Sequence, residues 1–227
     1  MKSILGHDVY DSLDELVDPK HTAVIVVDMQ NDLCDPEGLL AKGGENIAGN
    51  RVIIEPLRVL LDSAREAKLP IIYIQYVVEK NLSTVHPAYI HYWYRNRPSG
   101  RNKMPLEVCV EGTWGHETIP ELAPQSEDII VRKNRNGAFW GTKLDQVLRS
   151  NGIESVVVTG TATTGCVLET AIGAYANDYY VIMAKDCVTM SNREKHDLGV
   201  QILMDRYDSP NSEELITTWA MAQGQTG

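Results

Sequence analysis

Val156-Val157-Val158-Thr159-Gly160-Thr161-Ala162-Thr163-Thr164-Gly165-Cys166-Val167-Leu168-Glu169-Thr170 is the stretch around which the chain is organised. β-Branched residues run into small, polar and glycine residues, then a cysteine, then a helix-forming segment. That is the pattern of a buried strand, a tight turn and a helix start. Cys166 falls at the mouth of the turn, where orphan N–H groups and the positive end of the helix dipole favour an anion. A thiolate is such an anion, so the position is expected to depress the cysteine pKa and make it a nucleophile. The stretch alone fits a small buried hydrophobe equally well, because free cysteine also packs as one. A base and a cation elsewhere in the chain decide between the two.

Upstream, Thr22-Ala23-Val24-Ile25-Val26-Val27 is a continuous apolar run closed by Asp28. A strand apolar on both faces belongs inside a parallel sheet covered by helices. Ligands of such sheets sit beyond the carboxyl ends of the strands, although a lone Asp28 also reads as a turn cap. Further strands are expected at Ile71 to Tyr76, Asp128 to Lys133, the opening stretch, and Tyr179 to Ala184. Between them, Val52 to Ala67 carries Ile53, Leu57, Leu60, Leu61 and Ala64 at helical spacing. Helices are also expected over Lys143 to Ser150, from about Cys166 to Asn177, and over Glu213 to Met221. Ser191 with Glu194 forms a capping box for one more, and Thr142 with Asp145 resembles another.

Residues 1–20 read as a polar lead-in with a short amphipathic turn. Residues 78–115 lack clean periodicity and read as a long loop beside the site or at a subunit contact. Strands and helices alternate without a composition break, so residues 1–227 are expected to form a single α/β domain on a parallel sheet.

The net charge of −10 disfavours nucleic acid and acidic membranes as partners. No run approaches the ~20 apolar residues of a membrane helix, and Met1 to Lys20 is acidic without the apolar core of a signal peptide. The four cysteines (Cys34, Cys109, Cys166 and Cys187) form no CxxC pair and no metal-like spacing with the histidines. Free thiols in a reducing cytoplasm are the expectation.

Asp28, Lys133 and Cys166 thus stand at the carboxyl ends of three expected strands, which the topology gathers along one sheet edge. A carboxylate within reach of a thiol can take its proton, and a lysine beside them keeps the carboxylate ionised and stabilises the thiolate. The segments Ala23 to Asp32, Asp128 to Lys133 with Phe139 to Leu144, and Val158 to Val167 resemble the isochorismatase-like cysteine hydrolases. That family includes nicotinamidases, N-carbamoylsarcosine amidohydrolases, ureidoacrylate amidohydrolases and biuret hydrolases.

The resemblance implies a three-layer α/β/α fold with a six-stranded, mostly parallel sheet. It implies a triad of Cys166 as nucleophile, Asp28 as base and Lys133 as stabiliser. It also implies a cis peptide between Thr161 and Ala162, with the N–H groups of Ala162 and Cys166 as an oxyanion hole. A homo-oligomer, dimer or tetramer, is implied as well, with the aromatic segment Tyr89 to Arg97 near a subunit boundary.

Isochorismatases proper lack the cysteine, so Cys166 argues for hydrolysis of an amide, ureido or carbamoyl C–N bond through a thioester. Nicotinamidases carry an Asp-x-His pair and a further histidine as metal ligands. Cys34-Asp35-Pro36 supplies no such histidine, and His86 and His91 have no accompanying carboxylate motif. Neither a metal nor any other cofactor is expected. Asn31, Gln75 and Thr163 are candidate polar contacts to a small-molecule substrate, and Phe139 and Trp140 either wall the pocket or pack in the core. Arg97 or Arg101 would suit a substrate carboxylate, or else remain solvated loop charge. The rivals are a non-catalytic binding or scaffold protein on the same fold, and a nicotinamidase-type hydrolase.

Overall fold

The computed structural model describes residues 1–95 and 107–224. The lead-in is a two-stranded antiparallel ribbon, β1 (Lys2–Ile4) with β2 (His7–Val9), followed by the short helix α1 (Leu13–Leu16). The main sheet holds β3 (Thr22–Val27), β4 (Ile71–Tyr76), β5 (Ile129–Lys133), β6 (Ser155–Thr161) and β7 (Tyr180–Thr189). Its order is β5-β4-β3-β6-β7, and every pairing is parallel. The chain winds outward from β3 in both directions, which opens a crevice at the carboxyl ends of the central strands.

The remaining helices are α2 (Asn31–Cys34), α3 (Leu39–Lys42), α4 (Ala48–Arg51), α5 (Ile54–Glu66), α6 (Pro87–Arg95), α7 (Leu144–Ser150), α8 (Leu168–Tyr175), α9 (Arg193–Met204) and α10 (Ser212–Gly224). Pro56 sits in the first turn of α5, where its missing N–H has no intrahelical acceptor to lose. Period-two alternation divides the sheet's side chains between two cores. Val24, Val26, Ile71 and Tyr73 meet Leu57 and Leu61 of α5 and Trp219 of α10. Ala23, Ile25 and Val27 face the other way, toward Leu144 and Leu148 of α7 and Ala171 and Ala174 of α8. The result is a three-layer α/β/α arrangement.

Among the described residues the sheet has five strands where six were expected. The chain after α9 does run alongside β7, where Met183 N–H donates to Asp208 O at 2.8 Å and Lys185 N–H to Pro210 O at 3.0 Å. Only a single parallel bridge forms, between Ile182 and Asp208. Pro210 has no N–H to continue a ladder, so the sixth strand stops there.

Two caps also differ from expectation. The N-cap of α9 is Asn192, whose side chain accepts from Lys195 N–H, while Ser191 Oγ turns to Glu45. Ahead of α7, Thr142 Oγ1 accepts from Leu144 N–H, and Asp145 pairs with Arg149. The segment 78–115 is not all loop, since α6 lies within it.

Gly160 shows why the opening stretch needs its glycine. Its φ is +103°, and a Cβ there would lie 2.1 Å from Val27 O on the neighbouring strand. A side chain at this point would push β3 and β6 apart where their ends must meet.

Candidate active site

Asp28 leaves β3 with φ of 53°, a left-handed conformation that Asp and Asn tolerate better than most residues. The turn is fixed by Asp28 N–H donating to Ile74 O and Gln30 N–H donating to Asp28 O. The carboxylate is held on both oxygens. Oδ1 accepts from Tyr76 N–H at 3.1 Å, and Oδ2 accepts from Lys133 Nζ at 2.7 Å.

Lys133 ends β5, two strands away from β3, and its side chain spans the end of β4 to reach Asp28. The ammonium has three N–H donors and three acceptors: Asp28 Oδ2, Arg135 O at 3.1 Å and Cys166 Sγ at 3.2 Å. The side chains of Lys133 and Asp28 are 0% and 2% exposed, so this ion pair is dry. Burial alone would lower the lysine pKa, but Asp28 and then Cys166 outweigh it and hold the group above its ordinary range.

Cys166 lies in a one-turn π-type segment, Thr163–Val167, kinked at Gly165 and leading into α8. The Thr161–Ala162 peptide that precedes it is cis. α9 closes over the outside of the turn, where Thr163 Oγ1 and His196 Nδ1 lie 2.8 Å apart.

The expected depression of the thiol pKa is not what this geometry produces. Burial, and then the neighbouring Asp28 carboxylate, push Cys166 up to about 12, and Lys133 offsets only part of the rise. The geometry therefore favours a neutral thiol beside the Lys133–Asp28 ion pair. Cys34, Cys109 and Cys187 are buried in the core with raised pKa values of their own. Iodoacetamide is accordingly expected to label Cys166 first, at a rate still climbing with pH beyond the free-cysteine value of ~8.5. Asp28→Asn removes a charge that raises the thiol pKa, so the transition should move down. Lys133→Met removes the opposing cation and should move it up. Rate–pH profiles that coincide in all three proteins would contradict these electrostatics.

Asp28 and Cys166 line a cavity of about 270 Å³, and Lys133 contacts both without lining it. Tyr76, Ala162, Thr164, Leu33, Tyr92 and Val108 also line it. Segment 78–115 thus borders the pocket through Tyr92 and Val108.

Of the expected substrate contacts, Asn31, Gln75, Phe139, Trp140 and Thr163 are not among the lining residues. Asn31 Nδ2 donates to Trp114 O, and Gln75 Nε2 donates to Thr118 Oγ1. Phe139 packs on Tyr179 and against Gly173 of α8, and Trp140 is half exposed. Thr163 is spent on His196, and its neighbour Thr164 faces the cavity instead. Arg97 and Arg101 lie outside the described residues.

The Asp-Met-Gln-Asn-Asp run works mainly as a frame. Gln30 Nε2 donates to both Tyr76 O and His116 O, and buried Asp32 accepts from Leu39 N–H and Cys109 N–H. Gly115 is needed there because a Cβ would fall 2.1 Å from Asp32 Oδ2. Asn136 was missed in the sequence although it lies only three positions past Lys133. Its side chain reaches within 3.9 Å of Cys166 Sγ.

His86 spends Nδ1 on Ala88 N–H, and no group of three or more His, Cys, Asp or Glu among the described residues is placed to hold a metal.

A parallel α/β sheet carrying a thiol, a carboxylate and an ammonium in contact at its carboxyl edge defines a thiol-centred hydrolase class of site. The chain belongs to the isochorismatase domain family, whose pattern matches residues 22–214. It is 34% identical over 182 residues to the ureidoacrylate amidohydrolase RutB of Caulobacter segnis, covering 78% of this chain and 76% of that protein. Among solved structures, a cysteine hydrolase from Pseudomonas syringae pv. phaseolicola superimposes with a TM-score of 0.77 at 27% identity, covering 91% of this chain and 96% of that one. N-carbamoylsarcosine amidase from Thermoplasma acidophilum gives 0.64 at 25% identity, covering 85% and 96%.

Proposed function

We propose that the protein is a cysteine-dependent amidohydrolase that cleaves a small amide, ureido or carbamoyl C–N bond. The observation that carries this reading is the Lys133 ammonium in simultaneous contact with Asp28 Oδ2 and Cys166 Sγ. The names of the amidohydrolase relatives support the same class.

Asp28 accepts the thiol proton as Sγ attacks the carbonyl carbon, so the thiolate forms only as it is consumed. This suits a thiol whose resting pKa is high. Lys133 compensates the negative charge passing between sulfur and carboxylate. The backbone N–H groups of Ala162 and Cys166 receive the oxyanion, a role whose loss typically costs ~10²–10³ in rate. Collapse of the tetrahedral adduct expels the nitrogen, which leaves as ammonia or a small amine with the proton from Asp28. Asp28 then deprotonates the water that hydrolyses the thioester, and its proton returns to sulfur.

Ammonia release from a panel of small amides, ureas and carbamoyl acids is the direct test, with Cys166→Ser as the blank. Release should appear with at least one panel member, vanish in the blank, and survive prolonged chelation. Silence across the panel, or equal release by the blank, would reject the reading. The working assembly is a homo-oligomer in the cytoplasm, with the segment Tyr89 to Arg97, whose last two residues lie outside the described ones, near the subunit boundary. Light scattering at micromolar concentration should give at least a dimer, and a monomer would remove this part.

A further inference from the structure

Asn136 stands in the wall between the catalytic cavity and a second cavity of about 380 Å³, and it lines both. Its amide is oriented by what lies on the far side. Nδ2 donates to Glu169 Oε1 at 2.6 Å and lies 3.3 Å from Tyr92 Oη. An ionised carboxylate can only accept, so the nitrogen must face Glu169 and the oxygen must face the other way. Glu169 sits in the first turn of α8, where the helix N-terminus favours its negative charge. Asn136 Oδ1 is thereby aimed at Cys166 Sγ, 3.9 Å away, a distance too long for the thiol to satisfy it well. Asn50 repeats the arrangement in the same cavity. Its Nδ2 donates to Leu33 O at 2.8 Å, a carbonyl that can only accept, and its Oδ1 has no hydrogen-bond partner among the described residues.

We infer that Asn136 is a specificity-determining residue that accepts a hydrogen bond from an N–H on the scissile carbonyl group, with Glu169 as its positioning residue. The site then selects primary amides and terminal ureides over esters and N,N-dialkyl amides. An ester oxygen has no hydrogen to offer, and a dialkyl nitrogen would set alkyl groups against Oδ1. Glu169 lines the second cavity and not the first, so it acts on the reaction through Asn136. The inference rests on Cys166 being the attacking group, and it names the substrate class within the proposed function.

The test needs no knowledge of the natural substrate, because iodoacetamide itself carries a primary amide. Its alkylation rate at Cys166 is compared with that of N,N-dimethyl-2-iodoacetamide, and the same ratio for glutathione supplies the intrinsic reactivity. Wild type should prefer iodoacetamide by about 3- to 10-fold beyond the glutathione ratio, the worth of one hydrogen bond. Asn136→Ala should erase the excess. Glu169→Gln, which can donate as well as accept and so no longer dictates the orientation, should reduce it while leaving the melting temperature near wild type. A merely structural Glu169 would alter both reagents alike. No excess in wild type, or an excess untouched in both variants, overturns the inference. Should Asn136→Ala fail to fold, Glu169→Gln alone decides. A silent ammonia-release panel with the preference intact would reject the amidohydrolase reading and leave the N–H recognition standing.

Discussion

Cys166→Ala is expected to abolish turnover, by roughly 10³- to 10⁶-fold, with the fold retained. The side chain is only partly buried, and its neighbours Lys133 and Asp28 hold each other without it. Removing one sulfur therefore leaves no unpaired charge and only a small gap at the base of a cavity that is already open. Circular dichroism and melting temperature should match wild type while the ammonia assay reads background. Residual activity in a preparation shown by mass spectrometry to be free of wild type would remove the nucleophile from the mechanism.

Lys133→Met should damage both rate and stability, and the two losses have separable causes. The rate should fall roughly 10³- to 10⁴-fold, because Asp28 and the attacking sulfur lose the cation they share. Stability should fall by about 3–5 kcal/mol, the usual cost of leaving one member of a buried ion pair alone. Asp28→Asn keeps the shape and tolerates the left-handed backbone at this position, yet it removes the base and strands the ammonium. Combining the two substitutions removes both charges. The double variant should then unfold at a higher denaturant concentration than the sum of the single losses predicts, while staying as inactive as either. Lys133→Arg should rescue little, since a planar guanidinium cannot place three donors on acceptors set 2.7–3.2 Å around one nitrogen. Strict additivity of the stability losses in the double variant would contradict a coupled buried pair.

The layers of the fold were legible in the chain because burial writes itself into residue type. Thr22 to Val27 and Ile71 to Tyr76 are apolar throughout because helices cover both faces of their strands, and the observed strands match those runs residue for residue. The three groups of the site were legible for a related reason, since each is the polar residue at the carboxyl end of an apolar run or its turn. The pocket walls left no comparable mark. Asn136 and Tyr92 come from separate segments, and only packing of the crossovers brings them to the cavity that Cys166 lines. Gln75 and Thr163 read as plausibly polar, yet backbone direction turns them away toward Thr118 and His196.

The sequence by itself determined the parallel α/β class, the central strands and the identity of the thiol, carboxylate and ammonium at their ends. Those features follow from residue type and spacing along one chain. The tertiary structure alone decided that the sixth strand stops at Pro210, that the thiol pKa rises where the turn suggested a fall, and which way the Asn136 amide points. Each of these depends on groups distant in sequence: the edge of β7, the Asp28 carboxylate beside Cys166, and the carboxylate of Glu169. Electrostatics and hydrogen-bond direction are set by neighbours in space, and a linear pattern records only neighbours along the chain.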